Sequence, residues 1–197
     1  MYNNHIISNP KIKEVATDVL CVEFWKPEFC KVIIEAADSL NKYQSSPEDP
    51  VPGSELRISE ISPEFFVSFC RHWKTILQPI LDDYFTLPAS EWFIGWKIPF
   101  IIKYTMSGQR SLRPHLDASL ISGSIKLNED YEGGELVFPR QNFSNKDVPV
   151  GSIILWPSSI QHVHHSSELI SGTKYSLTAW TMQSVEDAPK GILYNSI

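Results

Sequence analysis

The sequence has few cysteines, no excess of positive charge and no long apolar run, and each shortage excludes a class of protein. Its three cysteines are odd in number and show no C-x-x-C spacing, so we expect reduced thiols in place of a disulfide framework. Lys and Arg number 17 against 23 Asp and Glu, and the net charge of −6 disfavours a nucleic-acid partner. No run reaches membrane-spanning length and the first residues lack an apolar signal region, so we expect no membrane association and a cytoplasmic location.

Hydrophobic residues are plentiful. They make up 42% of the 197 residues, and aromatic residues make up 12%, which is enough to build one substantial core. We therefore predict a single domain over residues 1–197. Its texture changes along the chain, from a helical N-terminal part at about 1–90 to a strand-rich part at about 91–183.

The N-terminal part contains two helical patterns separated by a polar loop. Apolar residues recur at helical spacing from Pro27 to Leu40, with proline at the tolerated first position. Ser62 begins a second helix that Pro79 should kink or end. The loop at 41–55 is polar and rich in proline, which is typical of an active-site lid or a disordered spacer.

The strand-rich part consists of short runs of β-branched and aromatic residues separated by turn residues. These runs are WFIGWKIPFIIKY, ASLISGSIKLN, GELVFPR, GSIILWP, QHVHH and KYSLTAWTM. Helices followed by many closely spaced strands predict an α+β domain, in which the helices buttress a mostly antiparallel sandwich or barrel.

Several histidines and one aspartate have the spacing of metal ligands. His115 and Asp117 share one face of a predicted strand, because side chains alternate between the two faces. The run QHVHH offers His162 and His164 on one face and His165 on the other, so either of the first two could complete a site. Two imidazoles and one carboxylate form the facial triad of non-haem Fe(II) oxygenases. The plainer alternative is a surface strand whose His115 and Asp117 pair only with each other.

A polar strand face near the C-terminal end offers a cation. In TKYSLTAW, the residues Lys174, Ser176 and Thr178 share one face. If that face lines the interior, Lys174 is a buried cation that needs an anion, and no acidic residue of its strand supplies one. A ligand carboxylate such as that of 2-oxoglutarate would fit. The alternative is an exposed lysine on an edge strand.

These residues carry a family resemblance. The segments YTMSGQRSLRPHLDAS, IKLNEDYEGGELVF, GSIILWPSSIQHVHHSS and GTKYSLTAW resemble the catalytic domain of procollagen lysyl hydroxylases, within the group of 2-oxoglutarate and Fe(II)-dependent prolyl and lysyl hydroxylases. The resemblance implies a double-stranded β-helix, a jelly-roll, cupin-like core at about 91–183, with N-terminal helices packed on one sheet.

The resemblance also implies the site residues. His115 and Asp117 correspond to the H-x-D ligands of iron. The distal histidine of the family lies ten residues before the basic residue that binds the far carboxylate of 2-oxoglutarate, which selects His164 with Lys174. His162 and His165 then lie beside the site or on the surface.

Three further residues are assigned to the cosubstrate site, namely Tyr104, Ser176 and Asn128. Tyr104 has a plainer alternative as a buried tyrosine with a satisfied hydroxyl group. Asn128 could simply end a strand.

The implied activity is hydroxylation of an unactivated C–H bond of a peptidyl lysine or proline, using Fe(II), 2-oxoglutarate and O2, with ascorbate as the reductant and with release of succinate and CO2. Lysyl hydroxylases of the family carry Arg where this chain has Lys174, whereas collagen-type prolyl hydroxylases carry Lys there, so both substrates stay open. The alternatives are a hydroxylase of a free amino acid or a small natural-product intermediate, and an inactive cupin-like ligand-binding module. The oligomeric state is left open.

Overall fold

A computed structural model describes residues 5–45, 51–86, 93–94 and 97–182. The helices of these residues are α1 (Pro27–Leu40), α2 (Ile58–Ile61), α3 (Pro63–His72) and α4 (Gln78–Phe85), with a π-helical segment (Trp73–Leu77) before α4 and a 3-10 turn (Ile160–His162). The strands are β1 (Ile12–Ala16), β2 (Val19–Glu23), β3 (Glu55–Arg57), β4 (Phe93–Ile94), β5 (Phe100–Thr105), β6 (Leu112–His115), β7 (Ile121–Lys126), β8 (Tyr131–Gly133), β9 (Leu136–Phe138), β10 (Phe143–Ser144), β11 (Ser152–Pro157), β12 (His164–Ser166) and β13 (Leu169–Met182).

Within the described residues the strands form two antiparallel sheets. The major sheet has the order β1-β2-β11-β7-β13-β5-β3, and β4 and β8 pair with the two ends of the long strand β13. The minor sheet has the order β10-β9-β12-β6. Neighbouring strands in both sheets are often far apart along the chain, as β11 and β7 are, which is the pattern of a jelly roll. The predicted fold class is confirmed.

The helices begin and end where local chemistry dictates. Pro27 opens α1, and Asn41 ends it in a left-handed conformation with φ of 48°. The hydroxyl of Ser62 accepts a hydrogen bond from the backbone N–H of Phe65 at 3.2 Å and caps α3. Pro79 lies in the first turn of α4, directly after the π-helical segment. The predicted interruption therefore occurs just before Pro79, because proline supplies no N–H to the preceding turn.

The main core lies between the helices and the outer face of the major sheet. Buried residues of α1, α3 and the π-helical segment pack on strands β2, β5, β7, β11 and β13. Along β13 the side chains of Leu177 and Ala179 join this core, whereas Ser176 and Thr178 face a cavity on the other side. One face of the major sheet is thus buried against the helices, and the opposite face lines the cavity.

The N-terminal part is less purely helical than expected, because it also supplies β1, β2 and β3 to the major sheet. These short strands pair with distant partners, β2 with β11 and β3 with β5, so local sequence patterns give little sign of them. The predicted loop at 41–55 ends at β3, and Val51 and Glu55 line the cavity. Its residues 46–50, and the last residues from 183 on, lie outside the described part. Among the described helices, none has the length and apolar character needed to cross a membrane.

Candidate active site

Two neighbouring strands of the minor sheet bring the three candidate metal ligands together. His115 ends β6 and His164 begins β12, and the two residues are direct partners across the antiparallel pair. Asp117 follows β6 by two residues, and its Oδ1 atom lies 3.4 Å from Nε2 of His115 and 3.6 Å from Nε2 of His164. The three ligand atoms all lie within 4.8 Å of one another. The sequence predicted this constellation, and the pairing of β6 with β12 assembles it.

Backbone carbonyls fix the orientation of both imidazoles. Nδ1 of His115 lies 2.8 Å from the carbonyl oxygen of Arg113, and Nδ1 of His164 lies 3.0 Å from that of His162. A carbonyl oxygen only accepts hydrogen bonds, so each Nδ1 carries the proton and donates it. Each Nε2 is then unprotonated in the neutral ring and lies close to the other two ligand atoms, as a metal-binding imidazole requires.

The charge of Asp117 fits a cation at this point. Burial alone would raise the pKa of its carboxyl group, but the neighbouring imidazoles of His115 and His164 and the hydroxyl of Ser122 lower that pKa well below its usual range. Its Oδ2 atom is buried and has no hydrogen-bond partner within the described residues. An ionised carboxylate with one unused buried oxygen and two imidazole nitrogens forms the donor set that Fe(II) takes in facial triads. The residues present therefore fit the predicted metal.

The other two histidines of the QHVHH segment have different surroundings. His162 belongs to the 3-10 turn and is buried, with its ring nitrogens 3.0 Å from the Ser159 hydroxyl and 3.3 Å from the Thr17 carbonyl oxygen. Both of its nitrogens are thereby engaged outside the triad. His165 is half-buried and lines the cavity without joining the three ligand atoms.

Lys174 is a buried cation in the same cavity. Its side chain is 2% exposed, and among the described residues it forms no ion pair with a carboxylate. Its ammonium nitrogen donates a hydrogen bond to the hydroxyl of Ser166 at 3.1 Å and lies 4.3 Å from the centroid of the Tyr104 ring. Burial lowers the pKa of Lys174 to about 7, with a smaller opposing effect of Glu135. The structure thus places Lys174 inside the protein, which is the first of the two alternatives that the sequence left open.

Tyr104 and Ser166 surround this ammonium group. Tyr104 is the cross-strand partner of Lys174, and its hydroxyl lies 3.1 Å from Oγ of Ser166. Burial raises the pKa of Tyr104 to about 12, so the phenol stays neutral and able to donate. The sequence did not identify Ser166, although a signal was there. Ser166 follows His164 by two residues, and this spacing places both side chains on one face of β12.

The cavity between the two sheets has a volume of about 470 Å³. Its walls include the triad and five further polar side chains, namely Lys174, Tyr104, Ser176, Thr178 and Ser124. Ser176 therefore lies where the sequence predicted, on the inner face of β13. A volume of this size is typical of small-molecule sites, which span roughly 300–1,000 Å³.

The side-chain amide of Asn128 is bonded to the neighbouring backbone. Its side-chain amide donates to the backbone carbonyl of Thr173 at 2.7 Å and to Asp130 at 2.6 Å, and its amide oxygen accepts from the backbone N–H of Tyr175 at 2.8 Å. Asn128 does not line the cavity. Its amide bonds the backbone on either side of Lys174 and so fixes this part of β13, while its assignment to the cosubstrate site stays a prediction.

Comparison with known proteins agrees with this geometry. Residues 100–182 match the family model of the 2OG-Fe(II) oxygenase superfamily. That range contains the triad, Lys174 and Tyr104.

Two curated relatives illustrate the similarity. The multifunctional procollagen lysine hydroxylase and glycosyltransferase of Caenorhabditis elegans is 25% identical, over 89% of this chain and 26% of that protein. Procollagen-lysine,2-oxoglutarate 5-dioxygenase 1 of Mus musculus is 30% identical, over 68% of this chain and 18% of that protein. The chain thus spans about a quarter or less of these curated relatives.

A solved structure, the viral collagen prolyl hydroxylase of Paramecium Bursaria Chlorella virus-1 in its 2OG complex, superposes with a TM-score of 0.60 at 15% identity, over 86% of this chain and 98% of the other. At that identity the superposition speaks for the shared fold alone. The fold, the family match over the strands that carry the ligands and the similarity to lysine hydroxylases together show that the chain belongs to the 2OG-Fe(II) oxygenase superfamily.

Proposed function

We propose that this protein is a dioxygenase that uses Fe(II), 2-oxoglutarate and O2 to hydroxylate a lysine or proline side chain of a peptide, with release of succinate and CO2. The observation that carries the proposal is the presence of two sites in one cavity. One is an anionic triad suited to Fe(II), and the other is a buried ammonium group without a carboxylate partner among the described residues.

His115, Asp117 and His164 would hold the iron. When bound, Fe(II) supplies the activation of O2 and the oxidising power for C–H hydroxylation, which no amino-acid side chain provides. Three protein ligands leave positions open for a cosubstrate and O2. The protein contributes position, because the carbonyl oxygens of Arg113 and His162 hold both imidazoles in place before the metal binds.

Lys174 would bind the far carboxylate of 2-oxoglutarate. Ser166 and His164 share one face of β12 and lie two residues apart, which is about 7 Å along the strand. The Lys174 ammonium group is hydrogen-bonded to Ser166, so it lies at about this spacing from the metal ligand His164. That separation suits a short dicarboxylate that reaches the metal with one end and the cation with the other. Its negative charge would supply the partner that the buried ammonium group lacks, and the Tyr104 hydroxyl adds a second donor nearby.

A peptide is the proposed substrate because the relatives named above are procollagen-lysine hydroxylases and the solved neighbour is a collagen prolyl hydroxylase. The cavity is also suited to a peptide side chain, since its walls beyond the triad include the apolar side chains of Leu112, Leu116 and Phe100. These side chains would shield the stem of a substrate residue from water.

The experiment is succinate production by anaerobically purified protein supplied with Fe(II), ascorbate, 2-oxoglutarate and air. Peptides that contain lysine or proline are compared with matched peptides that lack both, and with the free amino acids. We expect succinate production to rise with one peptide class, together with a hydroxylated product detected by mass spectrometry.

The matched control variants are His164→Ala and His162→Ala. The first should abolish turnover. The second should retain it, because the imidazole of His162 is bonded to Ser159 and Thr17 and not to the triad. Iron binding without succinate under any condition would move the assignment to a ligand-binding module. Stimulation by free amino acids alone would exclude a peptide substrate.

A further inference from the structure

An aromatic corner in the wall of the active-site cavity already holds a cation. Phe100 of β5 and Trp180 of β13 pack edge to face, with ring centroids 6.0 Å apart and 84° between the ring planes. The ammonium nitrogen of Lys97 lies 4.3 Å from the Phe100 centroid and 4.1 Å from the Trp180 centroid. Both distances lie inside the range of about 6 Å over which aromatic rings attract cations. All three residues line the cavity that contains the triad.

The corner and Lys174 lie at opposite ends of the cavity. Lys174 and Trp180 point from the same face of β13 and are six residues apart, which is about 20 Å of strand. The segment that follows Asp117 is hydrogen-bonded to the residue next to Trp180: the backbone N–H of Thr181 donates to Oγ of Ser119 at 3.0 Å, and the backbone N–H of Leu120 donates to the Thr181 carbonyl oxygen at 3.0 Å. The corner therefore lies at the end of β13 that adjoins the segment after Asp117, on the side away from the proposed cosubstrate cation. A substrate side chain that approaches the metal from this side would meet the corner.

The ammonium group of Lys97 contacts the faces of these two rings. Within the described ranges, Lys97 forms no ion pair with a carboxylate. Its side chain is half-buried, so part of its hydration is lost, and the ring faces replace it. The corner thus suits an organic cation on an aliphatic stem, and Lys97 supplies such a group.

The geometry points to Phe100 and Trp180 as the subsite for the ammonium group of a substrate lysine, with Lys97 as its occupant in the substrate-free protein. This inference rests on the proposed function and narrows its substrate to lysine. A proline side chain carries no charge and gains only apolar contact from the rings. Because one corner holds one ammonium group, the incoming lysine displaces Lys97, and Lys97 acts as a built-in competitor.

Peptide binding tests the subsite without requiring turnover. The protein is loaded with Mn(II) and 2-oxoglutarate under anaerobic conditions and titrated in a calorimeter with a short blocked peptide that has one central lysine. A matched peptide carries norleucine there, which keeps the stem and removes the charge. We expect the lysine peptide to bind about tenfold more tightly. Equal affinities would overturn the inference.

Two pairs of variants locate the preference. Trp180→Leu should abolish the preference for lysine over norleucine, and Trp180→Phe should keep most of it. Lys97→Met should strengthen binding of the lysine peptide severalfold, whereas Lys97→Arg, which retains an occupant, should not. If Trp180→Leu fails to fold, the Lys97 pair still decides. Unchanged or weaker lysine binding by Lys97→Met contradicts the role of Lys97 as occupant.

Failure of this inference is distinguishable from failure of the proposed function. A lysine peptide that binds with the expected preference but yields neither succinate nor hydroxylysine contradicts the proposed function alone. A peptide that is hydroxylated with no dependence on a cationic side chain contradicts the subsite alone. If neither peptide binds, the subsite is overturned, and succinate production with the proline-containing peptides then decides the proposed function.

Discussion

Replacing Lys174 by methionine removes a buried cation, and we expect Lys174→Met to be more stable than the natural protein at neutral pH when no ligand is present. The side chain of Lys174 is 2% exposed, and its ammonium group has a single hydrogen bond, to Ser166, among those described. Methionine has a similar length and no charge, so it can occupy the same space. The same substitution should strongly weaken 2-oxoglutarate binding, because the dicarboxylate loses its cation.

The magnitude follows from the pKa of Lys174. Burial lowers that pKa from 10.5 to about 7, and the difference corresponds to about 5 kcal/mol against the charged form. The lost hydrogen bond to Ser166 offsets about 1 kcal/mol of this, and relaxation around the charge reduces it further. We therefore expect the free energy of unfolding of Lys174→Met to exceed that of the natural protein by about 3 kcal/mol at pH 7.

The pH dependence distinguishes this cause from a general packing effect. Above pH 7 the folded protein releases the proton of Lys174, whereas the unfolded chain keeps it up to about pH 10.5. The unfolded state binds more protons in that window, so the stability of the natural protein rises with pH, by about 2 kcal/mol between pH 7 and about pH 9. Below pH 7 the lysine is protonated in both states and adds no further dependence. Lys174→Met should lack this rise.

Urea unfolding of both proteins without metal or cosubstrate, at pH 7 and at about pH 9, measures the four free energies. Taking the difference between the two proteins cancels the titration of all other groups. A variant that is less stable at pH 7, or one that shows the same rise with pH as the natural protein, would refute the argument that Lys174 is a destabilising buried cation. Lys174→Arg is the control that keeps a permanent charge, and it should gain no stability.

Three further changes test other parts of the structure. His164→Ala should lose Mn(II) binding, monitored by electron paramagnetic resonance, whereas His162→Ala should keep it and lose about 1–3 kcal/mol of stability through its buried hydrogen bonds. Gly151→Ala should lower the free energy of unfolding by about 3 kcal/mol, measured by thermal or urea unfolding, because φ is +85° and a Cβ would lie 2.1 Å from the Trp25 carbonyl oxygen. Asn128→Ala should raise the KM for 2-oxoglutarate about tenfold with unchanged Mn(II) affinity, because the segment around Lys174 loses its backbone clamp. Retained Mn(II) binding by His164→Ala, or an unchanged KM for Asn128→Ala, would contradict the respective reasoning.

The sequence predicted much of the site because the relevant spacings are local. Side chains two residues apart share a face of a strand, which linked His115 to Asp117 and placed Lys174 with Ser176. Helix α1 likewise follows from apolar spacing and a first-turn proline, and its observed bounds match the prediction. The choice of His164 over His162 came from the family resemblance. The structure accounts for it, because His162 belongs to a 3-10 turn and its ring nitrogens contact Ser159 and Thr17.

Other features depended on contacts between distant parts of the chain. β1, β2 and β3 are short, and their pairing partners lie elsewhere in the sequence, so no local pattern distinguished them from loops. The contacts of Asn128 are of the same kind, because its amide is bonded to the backbone on both sides of Lys174, and no local spacing indicates these bonds.

The sequence by itself determined which side chains share a face and which segments bury an apolar stripe, because strand and helix periodicity are properties of the local backbone. Only the tertiary structure decided which faces meet. The pairing of β6 with β12 joins His115 to His164, and the pairing of β5 with β13 brings Phe100 to Trp180. The cation that fills that aromatic corner is Lys97, and no local spacing connects it to Trp180. Long-range strand register is set by the packing of the whole domain, and for that reason this part of the active-site cavity appeared only in the folded molecule.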